Sequence, residues 1–352
     1  MSSNQYINDR LSAHQLYIQR FAGRNVNELL KYIDDLEKQL QLLIIGVSSK
    51  NQRAVIAKSN KAIDDAISKL EKELAGNLND FAEYEINFAG GVLASAVTVD
   101  VAQGAISKGQ IKAITEKSLM NVQPNGKGIT LGNAFKQFKA ERNREFTRIV
   151  RDTVKHARSS RKVARELVKE EIKALNLKTK KDIRKKSLSM RHKAEAIIRT
   201  SVNHVGATAR EHSFEKNADL FEGFVYTAVL DSRTTVICAS RSGKFYKSNE
   251  RKPSLPAHWN CRSLYVGRLK KEYNVYDNDL KSDNALNTSY QSFLKRQPDA
   301  FQNEVLGKKK AELFRSGKLT LDKFVDDSGK TYSIKTLAQL DKEYDLNLFI
   351  KK

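Results

Sequence analysis

The sequence predicts an α+β chain that is mainly α: a long helical N-terminal half followed by a small mixed α/β domain with a short sheet. Three observations carry this. Apolar residues recur at three- and four-residue steps between Val26 and Leu74, residues 135–199 contain neither Gly nor Pro, and an aromatic and β-branched run appears only after Gly223. At 352 residues the chain has room for two or three cores. The expected regions are a helical stretch 1–120, a basic helical stretch 133–200, a small α+β region 201–270 and a C-terminal extension 271–352.

Val26, Leu29, Leu30, Ile33, Leu36, Leu40 and Leu43 line one face of a first amphipathic helix, with Glu28, Lys31, Asp34, Asp35, Lys38 and Gln39 opposite. Ile63, Ala66, Ile67, Leu70 and Leu74 line a second, which Gly76 is expected to close, so the two should form a hairpin. Phe88–Ile106 is the most apolar stretch. Gly90, Gly91, Gly104 and Asp100 interrupt it, so it is expected as a buried helix and no membrane contact is predicted. One proline and three glycines between Asn121 and Gly132 mark a loop or junction.

The formal net charge is +22, which favours a polyanionic or acidic neighbour. Much of it is concentrated: Lys136–Arg199 holds 22 Lys and Arg against 8 Asp and Glu. Arg148, Arg151, Lys155, Arg158, Lys162 and Arg165 fall on one helical stripe, with Ile149, Val150 and Val154 on another. Such a stripe can neutralise phosphates by displacing condensed counterions, a contact with DNA backbone that carries no sequence preference. The alternative is a solvated helix face. No base-reading motif accompanies it.

Phe224–Val229 reads as a strand bounded by Gly223 and Asp231, and Lys244–Tyr246 as a second after the Ser242-Gly243 turn signal. Around them, Leu230–Cys238 and Pro256–Ser263 gather both cysteines and the only tryptophan. Two cysteines make no disulfide framework, and Met1–Arg10 has no apolar signal core, so synthesis in a reducing cytosol is expected.

Cys238, His258 and Cys261 are ligands of the kind zinc prefers, though a structural zinc site takes four and three are visible. A packed core with two close thiols, or an oxidised pair, is the competing reading. Asp231, Arg233 and Arg262 are expected as a turn-capping and ion-pair set. A catalytic use of His258 with Asn260 or a cysteine lacks the remaining groups of a nuclease or thiol constellation, so no enzyme is predicted. Asn303–Phe314 and Ile334–Leu340 read as helices, and Lys281–Gln297 as a loop with short helical turns.

Ile198-Arg199-Thr200, Asn203, Ala209-Arg210, Leu230-Asp231-Ser232-Arg233-Thr234, Cys238, Gly243 and Pro256-Ala257-His258-Trp259-Asn260-Cys261-Arg262 occur in an order and spacing that resembles the phage minor head, or head morphogenesis, proteins typified by the F protein of phage Mu. Val305-Leu306-Gly307 and Gly317-Lys318-Leu319 are similar to that family's C-terminal extension, so the specific likeness covers about 195–340. The sequence departs from the family where Thr235 precedes Cys238 without a partner thiol and Ser263 replaces a final cysteine. The resemblance implies a virion structural protein of a tailed bacteriophage, assembled in the host cytoplasm and residing in the head interior or portal region. Its implied partners are the portal protein and other head proteins, with roles in head assembly or in DNA packaging and ejection. Within the motif, Arg199, Thr200, Asp231, Arg233, Thr234, Gly243, Pro256, His258, Asn260, Cys261 and Arg262 are implied to be structural. A plain DNA-binding protein, or a metal-dependent nuclease built on His258 and Cys261, is the alternative.

Overall fold

A computed structural model describes residues 1–102, 106–122, 128–163, 168–275, 290–325, 331–344 and 348; for 156–163 and 168–188 it describes the backbone alone. Gly104, Arg165 and residues 281–289 of the expected Lys281–Gln297 loop lie outside the described residues. The elements in order are α1 Ser3–Leu29, α2 Lys31–Ile45, α3 Gln52–Ala96, α4 Lys108–Lys112, α5 Leu131–Val163, α6 Val168–Glu215, β1 Phe221–Thr227, α7 Val236–Arg241, β2 Phe245–Lys247, β3 Leu264–Leu269, α8 Tyr290–Lys295, α9 Asp299–Leu306, α10 Lys308–Arg315 and α11 Ile334–Tyr344. The mainly helical α+β class is as expected. No helix among the described residues is long and apolar enough to cross a membrane.

The chain forms two compact units. Unit 1 comprises Met1–Gln19, Glu83–Ala105 and Gly206–Lys352; unit 2 comprises Arg20–Ala82 and Ile106–Val205. The junction expected between 200 and 201 falls inside α6, and both units are discontinuous in sequence.

Unit 2 is helical because its apolar stripes have helical period. Ile33, Leu36, Leu40 and Ile44 are buried on α2, Ile63, Ile67, Leu70 and Leu74 on α3, and Phe135, Phe138, Phe146 and Val150 on α5. The first amphipathic face is split: α1 ends at Leu29 and α2 begins at Lys31. Gly76 does not end the second helix. The buried stripe continues through Leu78 and Phe81, and each such side chain contributes about 1.5–3 kcal/mol, more than the ~1 kcal/mol a helical glycine costs. The Asn121–Gly132 stretch is a loop in its described part, closed by an antiparallel bridge between Met120 and Ile129, and Thr130 caps α5 by accepting from the Asn133 amide at 3.2 Å.

Unit 1 holds a three-stranded antiparallel sheet in the order β2-β1-β3. Val225 pairs with Phe245 on one side and Val266 on the other. β3 is not among the strands expected from the sequence, although Leu264-Tyr265-Val266 has the right residue types. The sheet packs against Ile7 and Leu11 of α1, Val92, Leu93 and Ala96 of α3, and Phe214 of α6. In its described part, Phe88–Ile106 is helical to Ala96, after which exposed Thr98, Val99 and Asp100 leave the core. Asn303–Phe314 is two helices, because Gly307 adopts φ 77° and ψ 145°, a conformation open essentially to glycine alone. Within Lys281–Gln297, expected as a loop with short helical turns, α8 is such a turn in the described part, and α11 is the last helix.

Candidate functional site

β1 leads into a turn at Val229–Thr235 that delivers α7. Thr235 is its N-cap, with the hydroxyl accepting from the Cys238 amide at 3.5 Å, and this short helix presents Cys238 inward. The return segment holds a cis Leu255–Pro256 bond and a turn over His258–Cys261, closed by Cys261 N–H donating to the His258 carbonyl at 3.1 Å; Asn260 has φ 60°. Both thiols are buried with Tyr226 and Ala228, and Leu255, Ala257 and Tyr265 pack around them.

Three predicted ligands meet here. Cys238 Sγ lies 3.1 Å from His258 Nε2 and 3.8 Å from Cys261 Sγ, a separation of two thiols and not of a disulfide. His258 Nδ1 is 2.8 Å from the Trp259 carbonyl, which can only accept, so Nδ1 carries a proton and Nε2 faces the sulfurs and the Thr235 hydroxyl at 2.8 Å. Tyr226, which the sequence reading did not single out, donates its hydroxyl to Cys238 Sγ at 3.2 Å.

The two thiols titrate unequally. The Cys261 hydrogen bond, then those of His258 and Ser263, hold Cys238 well below an ordinary thiol, against the opposing effect of burial. Cys261 is pushed up by its bond to Cys238 and by burial. Burial works against an imidazolium at His258, but the hydrogen bond and negative charge of Cys238 outweigh it and raise His258. The arrangement favours one proton loss from Cys238, neutralised by His258.

The ion-pair set forms as expected, and it is a clamp on the turn. Arg262 Nη1 and Nη2 each donate to Asp231 at 2.6 Å, the fork geometry that a planar guanidinium gives with a carboxylate. Asp231 also accepts from the Arg233 amide at 3.1 Å, while Thr234 donates to the Val229 carbonyl at 2.5 Å. The Arg233 side chain is largely exposed. Tyr290 donates to the Asp231 carbonyl at 2.6 Å and Gln15 to the Arg262 carbonyl at 2.9 Å, two partners that local pattern did not indicate. Gly243, at φ 84°, turns the chain from α7 into β2 and donates to the Tyr226 carbonyl at 2.8 Å. Arg199 and Thr200 belong to unit 2, where Arg199 pairs with Glu195 at 2.8 Å and Thr200 bonds the Ala196 carbonyl at 2.6 Å, both within α6.

Of the basic stripe, Arg148, Arg151 and Lys155 are exposed along α5, with Arg144 one turn before them, while Val150 and Val154 are buried on another face. The side chains of Arg158, Lys162 and Arg165 lie outside the described residues. Arg210, which the sequence singles out with Ala209, is buried. It donates to Glu85 at 2.8 Å, and the same carboxylate meets His14 Nε2 at 2.5 Å.

Residues 127–266 match the family described as Phage Mu protein F like protein. The matched segment begins earlier than the likeness read from motifs, taking in the basic helices, and ends within β3 without reaching the C-terminal extension. Neither the curated proteins nor the solved structures returned a match.

Proposed function

Because the chain carries a Mu F-like region, we propose that it is a minor head protein of a tailed bacteriophage, a virion component that acts beside the portal in head assembly or in DNA packaging and ejection. The family match over 127–266 carries this reading, since the matched segment takes in both the basic helices and the Cys-His motif. The exposed Arg144, Arg148, Arg151 and Lys155 support a supplementary role, contact with packaged DNA through its phosphates.

Two measurements test the reading. The chain should co-sediment with portal-containing heads, and its absence from purified proheads and virions overturns the assignment. On DNA of unrelated sequences, binding should weaken with salt, and each charge removed at Arg148, Arg151 or Lys155 should lower the log–log slope by about 0.9. A slope unchanged in the Arg148→Glu, Arg151→Glu, Lys155→Glu variant removes α5 from the DNA contact.

The nuclease alternative has less to stand on. Among the described residues, the one group of at least three possible metal ligands is two thiols and an imidazole, without the carboxylates that hold magnesium. Metal-stimulated DNA cleavage that disappears in a folded His258→Ala variant would restore it.

A further inference from the structure

We propose that Cys238 Sγ, His258 Nε2 and Cys261 Sγ are the protein ligands of one zinc ion, with a fourth position beside Thr235 taken by water. The three donor atoms lie within 4.8 Å of one another. With Zn–S bonds of about 2.3 Å, two thiolates on a tetrahedral ion stand ~3.8 Å apart. Cys238 and Cys261 already stand at 3.8 Å. The corresponding sulfur–nitrogen edge is ~3.6 Å, against 3.1 Å between Cys238 Sγ and His258 Nε2, so the imidazole need only swing outward slightly.

The supporting bonds point the same way. His258 Nδ1 donates to the Trp259 carbonyl, which leaves the Nε2 lone pair for an ion and fixes the ring, the usual partner of a metal-bound histidine. His258 and Cys261 come from one closed turn and Cys238 from α7, so the ion would join two segments that the Arg262–Asp231 pair and the Thr235–His258 hydrogen bond already bring together. Soft thiolates with imidazole select zinc over magnesium or calcium.

Binding balances simply. The two thiols lose their protons, His258 binds as the neutral ring, and two thiolates cancel the charge of Zn²⁺. The Thr235 hydroxyl, 2.8 Å from Nε2, is a neutral oxygen and a weak ligand beside thiolate, hence a partner for bound water.

The test uses the full-length, tag-free chain purified under reducing conditions with zinc present. Elemental analysis should find about one zinc per chain, and Co²⁺ substitution should give a thiolate-to-cobalt charge-transfer band. Cys261→Ser should lose stoichiometric metal and weaken that band. Thr235→Cys should strengthen it and slow transfer of zinc to a chelator. A folded wild-type chain that takes up neither zinc nor cobalt overturns the site, as does equal zinc in a Cys238→Ser, Cys261→Ser double variant. Should the variants fail to fold, the wild-type cobalt spectrum decides alone: absence of the thiolate band refutes the ligand set. An unchanged Thr235→Cys refutes the fourth position.

Discussion

Asp231 shows how one side chain holds the central motif. Burial alone would raise its pKa, but the hydrogen bonds and charge of Arg262, helped by Arg233, bring it below the ordinary 3.8. A carboxylate depressed in the folded state stabilises the fold above its unfolded pKa, and that contribution disappears as pH falls through the folded value. The urea midpoint of the wild type should therefore drop from about pH 4 downward. Asp231→Asn should already be about 1–3 kcal/mol less stable at pH 7 and flatter in the acid range; a variant as acid-sensitive as the wild type would remove Asp231 from the account. This clamp was partly legible, because Asp231 and Arg233 are neighbours in a turn and Arg262 sits in the same motif. The buried Arg210–Glu85–His14 set was not. Glu85 is 125 residues from Arg210 and 71 from His14, and nothing in the local period of either helix marks it as the acceptor.

At the scale of elements, two glycines separate local propensity from packing. Gly76 lies inside α3, and a Cβ there meets nothing within 4 Å. Gly223 lies in β1, where a Cβ would sit 2.2 Å from the Tyr246 carbonyl oxygen and 2.7 Å from the Phe245 ring. Gly76→Ala should raise stability by about 0.5–1 kcal/mol, through helix propensity. Gly223→Ala should lower it by about 1–3 kcal/mol, because backbone must move to admit the methyl group. Thermal midpoints shifting in the same direction for both would sink this distinction. Gly76 was expected as a helix end because glycine commonly follows one. The stripe carried onward by Leu78 and Phe81 overrides that preference, which is why helix faces were read better than helix ends.

Taken as a molecule, unit 1 is assembled from three stretches of chain. Its sheet core needs Ile7 and Leu11 from the N-terminus and Val92 and Leu93 from the end of α3, and Asn4 Oδ1 accepts from the Leu269 amide at 2.7 Å. A fragment of residues 201–270 alone would expose Phe221, Val266 and Leu269 to water, so it should melt without a cooperative transition while the full chain unfolds cooperatively. A cooperative melt of that fragment would contradict the three-stretch core. Helical period and nearness along the chain were enough for the mainly helical class, the basic stripe of α5, and the grouping of Cys238, His258 and Cys261. Folding in three dimensions was needed to show which strand completes the sheet, that Tyr226 bonds Cys238, that Glu85 joins Arg210 to His14, and that the mixed domain borrows its core from the N-terminus. Those contacts pair residues whose partners lie outside any local window, and their burial is settled only when distant segments meet.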